Sequence, residues 1–117
     1  PLVQHSLNIM LDFYQNKKIT LEKIVEKMCH NPAMAFKIKD RGYIREGYWA
    51  DIVILDIEKK WEVNKENILY KCNWSPLEGT KFKGKVETVL INGKIALENR
   101  KFFDLNAGMR LAFDRDR

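Results

Sequence analysis

The first third of the chain repeats apolar side chains at helical spacing. From Val3 to Tyr14 an apolar residue recurs at i, i+4, i+7, i+8 and i+11, which predicts an amphipathic helix. Residues 16–18, Asn-Lys-Lys, interrupt this pattern. A second run keeps i, i+3, i+4 and i+7 spacing from Leu21 to Met28 and predicts a second helix. Each helix has one apolar stripe, so each must pack on another element.

A third, short helix is predicted before the chain changes character. Asn31 is a good N-cap residue and Pro32 then occupies the first helical position, where its missing N–H costs nothing. Gly42 and Gly47 supply the backbone freedom of a loop. Beyond Gly42 the pattern is typical of β structure. The predicted strands cover residues 43–44, 50–55, 61–63, 85–91, 94–97 and 102–103.

Two of these extended segments carry specific expectations. Residues 50–55, Ala-Asp-Ile-Val-Ile-Leu, form a nearly continuous apolar run, which is typical of a strand covered on both faces. The few short strands of this chain make a thin sheet that does not provide such cover. Asn92-Gly93 separates two β-rich runs and predicts a two-residue type I′ hairpin.

Length and composition exclude several classes of protein. A chain of 117 residues is too short for a (β/α)8 barrel, which needs about 250 residues. The net charge of +5 comes from lysines and arginines interleaved with acidic residues, which indicates a solvated surface rather than a nucleic-acid site. No run approaches the roughly 20 apolar residues of a membrane span. Two cysteines without a Cys-x-x-Cys motif favour free thiols and a cytoplasmic location over a disulfide scaffold.

The residues that could carry chemistry are few. The only histidines are His5 and His30, whereas a zinc site needs three or four ligands. His30 is expected to bond backbone groups at a helix junction, and His5 lies off the apolar stripe, which predicts a position at the surface or at an interface. Ser75 lies in no nucleophile-elbow pattern, and Cys72 has no histidine near it in sequence. These residues predict neither a catalytic site nor a metal site within this chain.

Three separated motifs nevertheless resemble one enzyme family. Residues 29–56 combine Asn-Pro-Ala, a glycine-spaced hairpin and Ala-Asp-Ile-Val-Ile-Leu-Asp, which resembles the C-terminal signature of the cyclic amidohydrolases. Residues 70–79, Tyr-Lys-Cys-Asn-Trp-Ser-Pro-Leu-Glu-Gly, and the Asn-Gly hairpin beyond them resemble the dihydroorotase branch. The opening residues 1–7, Pro-Leu-Val-Gln-His-Ser-Leu, resemble the stretch after the last barrel strand in that branch.

The resemblance implies an α+β architecture taken from a larger enzyme. Residues 1–40 would be the terminal helices of a TIM-type (β/α)8 metal-dependent hydrolase barrel, and residues 41–117 the C-terminal half of a small composite β-sandwich. In the family, an N-terminal segment of the same polypeptide completes that sandwich. The rest of the polypeptide would therefore be the main partner, within a homo-oligomer. The start at Pro1, without Met, is interpreted as a cut.

The resemblance also implies an activity for the complete enzyme. Dihydroorotases interconvert N-carbamoyl-L-aspartate and dihydroorotate in pyrimidine synthesis, with a hydroxide on a divalent metal, usually zinc, and an aspartate that moves the proton. All those groups would precede Pro1. Only Pro1 and Leu2 would lie near the small-molecule substrate, in a loop without catalytic side chains, so this chain alone is expected to bind no metal and to be inactive.

Two alternatives remain open from the sequence. One is a dihydroorotase-like module that has lost its metal ligands and serves as a scaffold. The other is a sister cyclic amidase, a hydantoinase or an allantoinase, with the same metal chemistry and another ring as substrate. The residues present in this chain do not separate the three hypotheses.

Overall fold

The computed structural model describes residues 1–103 and 106–114, which combine short helices with one β-sheet. The helical elements are a 3₁₀ turn (Val3–His5), α1 (Ser6–Gln15), α2 (Leu21–Val25), a π-helical turn (Glu26–His30) and α3 (Asn31–Ala35). The strands are β1 (Ile52–Glu62), β2 (Lys81–Ile91), β3 (Lys94–Glu98) and β4 (Lys101–Phe102). They form one sheet in the order β1-β2-β3-β4. The α+β class expected from the sequence is confirmed.

The chain divides into two compact units. The first unit comprises Pro1–Leu21 and Asp56–Lys85, and the second comprises Glu22–Leu55 and Val86–Arg117. The predicted division into residues 1–40 and 41–117 refers to the barrel and the sandwich of a complete enzyme. That division stays a prediction.

Two helices end in the same hydrogen-bonded motif with a lysine in the left-handed conformation. After α1, the N–H of Lys17 bonds to the Tyr14 carbonyl and that of Lys18 to the Phe13 carbonyl, at 2.9 Å each. Lys17 has a φ of 57°, and Lys37 after α3 has a φ of 53°. This is the Schellman arrangement, which satisfies the last carbonyls of a helix. The predicted end of the first helix at residues 16–18 is confirmed.

The predicted N-cap at Asn31 is wrong. Asn31 has helical φ and ψ angles of −62° and −43°, and α3 continues directly from the preceding π-helical turn. Pro32 has no N–H to donate and its ring crowds the carbonyl four residues back, which disturbs an α-helix. The π-helical turn widens the helix just before Pro32, with the Asn31 N–H bonded to the Glu26 carbonyl. The helix therefore passes through the proline instead of starting there.

The hairpin predicted at Asn92-Gly93 is confirmed. Ile91 pairs with Lys94, which leaves a loop of two residues between β2 and β3. Asn92 and Gly93 have φ angles of 51° and 80°, and two positive φ angles are what a type I′ turn requires.

Several expectations from the apolar patterns need correction. Residues 43–44 form no strand, and the segments 50–55 and 61–63 belong mainly to one long strand, β1. Val3, which the helical pattern placed on the apolar stripe, is 82% exposed because it belongs to the 3₁₀ turn before α1. Val53 and Ile54 are exposed in β1. The described residues therefore do not provide the two-sided cover that the apolar run predicts.

The best-packed core lies in the first unit. Val63, Ile68 and Phe82 form a buried cluster, against which Trp61 and Tyr70 are partly buried. Leu11 of α1 is also fully buried in this unit. This core holds the start of the chain in place and so positions the candidate site described next.

Candidate functional site

Pro1 and Leu2, the predicted substrate-adjacent residues, stand at the edge of the first unit. Both are exposed, and the Leu2 carbonyl accepts a hydrogen bond of 3.1 Å from the His5 N–H, which closes the 3₁₀ turn. No contact of their side chains marks a substrate pocket among residues 1–103 and 106–114. Their role near a substrate stays a prediction.

Gln4 attaches this opening segment to the loop after Asn64. The Gln4 N–H donates to the Tyr70 hydroxyl at 2.8 Å, and the Gln4 Nε2 donates to the Asn67 carbonyl at 2.7 Å. The Gln4 Oε1 accepts from the Leu69 N–H at 2.9 Å. One residue therefore makes three hydrogen bonds to residues more than sixty positions away, and we call this arrangement the Gln4 clasp.

His5 lies beside the clasp, and it is buried rather than at the surface, which was one of its two predicted positions. It is only 1% exposed, with ring centroids 6.0 Å from Trp61 and 6.2 Å from Tyr70. Neither ring nitrogen has a hydrogen-bond partner among the described residues. Burial lowers the pKa of His5, because the charged imidazolium would lose its hydration. The helical pattern failed here because His5 ends the 3₁₀ turn and does not share the periodicity of α1.

A second polar attachment joins α1 to β2 at Gly84. The Gly84 carbonyl accepts from the Asn8 Nδ2 at 3.2 Å and from the Trp61 Nε1 at 2.8 Å. Gly84 has a φ of 113°, and a Cβ at this position would lie 3.1 Å from Leu11 Cδ1. The glycine therefore lets helix and strand approach closely while both acceptor positions of its carbonyl are used.

The histidines do not fit a metal centre. His30 stacks on Tyr43 with ring centroids 4.1 Å apart, and the Arg45 guanidinium lies 4.2 Å from the centre of the same Tyr43 ring. His5 packs against the rings of Trp61 and Tyr70, and its ring nitrogens have no hydrogen-bond partner among the described residues. Within residues 1–103 and 106–114, no three His, Cys, Asp or Glu residues come together as a metal site. The zinc expected for a complete enzyme is not accommodated by these residues.

The two cysteines and Ser75, the residues that could act as nucleophiles, make contacts typical of structural residues. Both cysteines are free, and desolvation raises the pKa of the Cys29 thiol, which disfavours the reactive thiolate. Cys72 contacts the Trp74 carbonyl at 3.7 Å. Ser75 is buried, and its hydroxyl accepts from the Leu77 N–H at 3.2 Å, which stabilises a turn. None of the three contacts a general base in the described residues.

An open groove of about 510 Å³ lies in the first unit, between the end of α1 and the strands. Its wall carries charges of both signs, and Trp61 and Phe82 line its apolar part. The charged side chains that line it are Asp12, Lys60, Glu62, Lys81 and Lys83. This mixture favours the interpretation of the basic charge as part of a solvated surface.

Sequence reasoning missed Gln4, Asn8 and Gly84. A glutamine or an asparagine in an amphipathic helical pattern has the polar character of a solvent-exposed position. The one available signal was Gly84, since an isolated glycine within a strand pattern indicates a bulge or a close backbone approach.

No helix among the described residues has the length and apolar character needed to cross a membrane.

Comparison with known proteins gives closely related sequences. The chain is 37% identical over 111 residues to a dihydroorotase of Pyrococcus horikoshii, a match that covers 95% of this chain and 26% of the relative. It is 42% identical over 82 residues to a dihydroorotase of Clostridium acetobutylicum, which covers 70% of this chain and 19% of the relative. The chain thus spans about a quarter of the length of the curated relatives that it matches.

Solved structures and family assignment agree with these sequence matches. The L-hydantoinase (dihydropyrimidinase) from Arthrobacter aurescens superimposes with a TM-score of 0.75 at 30% identity, over 85% of this chain and 22% of that structure. Residues 2–96 match the amidohydrolase family. That match includes α1, the π-helical turn, β1, β2 and most of the hairpin. This chain therefore belongs to the amidohydrolase family.

Proposed function

We propose that this chain is the C-terminal structural segment of a dihydroorotase. The complete enzyme would interconvert N-carbamoyl-L-aspartate and dihydroorotate, the cyclic amide step of pyrimidine synthesis. The observation that carries the proposal is the match to curated dihydroorotases at 37% identity across 95% of the chain. The motifs quoted from residues 29–56 and 70–79 support the same branch.

The chain's own share in this function would be structural. Its histidines are either stacked on or enclosed by aromatic rings, and its serine and cysteine candidates contact backbone groups. Its organised polar contacts instead attach α1 and the opening segment to the strands and loops of the first unit. We therefore expect the 117-residue chain alone to have no ring-opening activity.

The divalent metal would be held by residues outside this chain. Among residues 1–103 and 106–114, neither histidine belongs to a group of three possible metal ligands, so we derive no catalytic step through a metal from these residues. Zinc remains our proposal for the complete enzyme, and so do a cytoplasmic location and assembly into a homo-oligomer.

The exposed apolar residues of the second unit indicate which part of the enzyme this chain contacts. Ile44 is 87% exposed, and Val53 and Ile54 are exposed on β1, at the outer position of the sheet order. Apolar groups of this number are rarely left in contact with water in a native protein. We propose that the remainder of the same polypeptide covers them, as the other half of a composite β-sandwich.

A hydantoinase is the second candidate function. The similarity to L-hydantoinase at 30% identity favours it, since that enzyme belongs to the same family and differs in the ring on which it acts. A hydantoinase and a dihydroorotase would use this structural segment in the same way. The choice between them therefore depends on residues that bind the substrate ring.

The experiment that separates these candidates is a substrate comparison with the complete open reading frame, purified with zinc. We expect kcat/KM for dihydroorotate to exceed that for hydantoin and dihydrouracil by at least about a hundredfold, because a site built for a polar group discriminates strongly against a ring that lacks it. A preference for hydantoin would assign the sister activity. Folded protein that retains no metal would favour a non-catalytic scaffold.

A further inference from the structure

We infer that Gln4 is a positioning residue that fixes the Pro1–Leu2 segment for substrate through the Gln4 clasp. This inference rests on the proposed function, because it takes Pro1 and Leu2 to lie beside the substrate. It adds a residue whose side chain need not touch substrate, metal or the reacting atoms.

The clasp uses both polar atoms of the Gln4 side chain and its backbone N–H. The Nε2 donates to the Asn67 carbonyl at 2.7 Å while the Oε1 accepts from the Leu69 N–H at 2.9 Å. Two antiparallel bonds of this kind fix both the position and the rotation of the amide group. The backbone bond to the Tyr70 hydroxyl at 2.8 Å adds a third point of attachment. Gln4 is thereby held against the loop in one orientation.

The loop that receives Gln4 is itself well ordered by local bonds. The Asn64 Oδ1 accepts from the N–H groups of Glu66 and Asn67, and the Asn67 Nδ2 donates to the Glu62 carbonyl at 2.8 Å. Ile68 belongs to the buried core cluster of the same unit. The clasp therefore connects the opening segment to the core of the first unit through a short, hydrogen-bonded loop.

Gln4 is close enough to Leu2 for the clasp to restrict the opening segment. Leu2 is two residues away, and a trans peptide places successive Cα atoms 3.8 Å apart, so the Leu2 Cα lies within about 8 Å of the Gln4 Cα. His5 closes the 3₁₀ turn onto the Leu2 carbonyl and is itself buried between Trp61 and Tyr70. Pro1 and Leu2 therefore have little freedom while the clasp is closed, and substrate binding gains from a segment that is ordered beforehand.

The chain offers a matched control at the other end of α1. The Gln15 Nε2 donates to the Ile57 carbonyl at 2.8 Å, which is again a half-buried bond from a glutamine side chain to a backbone carbonyl of the first unit. Gln15 lies about 17 Å from Gln4 along the helical segment at the ordinary α-helical rise of about 1.5 Å per residue. A change at Gln15 removes a comparable bond without touching the Pro1–Leu2 segment.

The test uses the complete protein with Gln4→Ala, Gln4→Glu and Gln15→Ala. We expect Gln4→Ala to raise the KM for dihydroorotate about fivefold with kcat within twofold of the parent, because binding energy common to ground and transition states is lost. Gln4→Glu keeps an acceptor for the Leu69 N–H but sets a carboxylate oxygen against the Asn67 carbonyl oxygen, where no hydrogen bond can form, so its KM should rise at least as much as that of Gln4→Ala. Gln15→Ala should leave KM within twofold while lowering the thermal midpoint about as much as Gln4→Ala does.

Amide hydrogen exchange supplies a readout that does not require turnover. Gln4→Ala should accelerate exchange at the amides of His5 and Leu69 about tenfold, and Gln15→Ala should leave both rates unchanged. An equal rise in KM for Gln15→Ala, or accelerated exchange without any change in KM, would overturn the positioning role. A parent enzyme that does not open dihydroorotate refutes the proposed function instead, and exchange then decides alone whether the clasp fixes the segment.

Discussion

The two units of this chain differ in how far they bury their large apolar side chains. The first unit buries Leu11 of α1 and, in one cluster, Val63, Ile68 and Phe82. In the second unit the buried apolar residues are Ile24, Ala33 and Ala107 among the described residues, two of them alanines. Larger apolar side chains of this unit remain exposed. They include Met34, Phe36, Ile44, Val53, Ile54 and Phe102.

From this difference we expect the second unit to depend more than the first on contacts with other polypeptide. Burial of large side chains supplies most of the stability of a small domain, at about 25 cal/mol per Å² of apolar surface. The first unit obtains that burial from its own residues. The second unit obtains less of it and presents its β-branched and aromatic side chains to solvent, so we expect it to gain stability from the remainder of an amidohydrolase.

The largest effect should come from paired phenylalanine truncations. Phe82 is 5% exposed in the core cluster, whereas Phe102 on β4 is 60% exposed. Phe82→Ala should lower the free energy of unfolding by about 3–5 kcal/mol, and Phe102→Ala by less than about 1 kcal/mol. Urea denaturation of both variants checks this. Equal losses would show that the two units are packed alike.

A pair of glycines tests the tightest approach in the second unit. A Cβ on Gly42 would lie 2.5 Å from Ala33 Cβ and 2.8 Å from the Cys29 carbonyl oxygen, whereas nothing lies within 4 Å at Gly47. Both glycines have φ above 80°. Gly47→Ala therefore reports the conformational cost, about 1 kcal/mol, and Gly42→Ala should cost about 2 kcal/mol more by steric overlap. Thermal melting of the two variants measures the difference, and equal midpoints would contradict the close packing.

Self-association of the 117-residue chain tests whether the exposed strand needs a cover. At micromolar concentration we expect light scattering to give an average mass above the 13.9 kDa of the monomer. The double variant Val53→Thr, Ile54→Thr keeps β-branched side chains while it removes apolar surface, so it should weaken association about tenfold. A sharp monomer peak for the unchanged chain would refute this expectation.

The smallest effect expected is a pH dependence that originates at His5. The pKa of His5 is lowered in the folded chain. As the pH drops, His5 is therefore protonated in the unfolded chain at a higher pH than in the folded chain, so the free energy of unfolding falls below about pH 6.5. Because one group titrates, the loss stays below about 1.4 kcal/mol per pH unit. His5→Phe fills a similar space between Trp61 and Tyr70 without titrating, and its melting temperature should show a flatter dependence over this range. An unchanged slope would contradict the assignment.

Local patterns predicted some of this fold well. Three features were predicted from residues close together in the sequence. Periodicity gave the helix of residues 6–15 and its end at residues 16–18, and turn chemistry gave the Asn92-Gly93 hairpin. Family membership was also readable, because its motifs are contiguous runs of sequence. These features depend on residues that are neighbours in the sequence, so they can be predicted from the sequence alone.

Features that depend on distant residues were missed. His5 became buried because Trp61 and Tyr70 enclose it, more than fifty positions away. The π-helical turn was missed because Asn-Pro usually starts a helix, whereas here the helix is already formed when the chain reaches Pro32. The Gln4 clasp likewise needs the loop of residues 64–70, whose position no local pattern gives.

We propose that this chain is a structural, non-catalytic part of a dihydroorotase. The most direct test of this claim is dihydroorotate ring opening measured in parallel for the complete open reading frame and for the 117-residue chain, both at equal molarity with zinc present. We expect turnover by the complete protein and a rate equal to buffer for the chain alone. Ring opening by the isolated chain, or none by folded and metal-loaded complete protein, would contradict the claim.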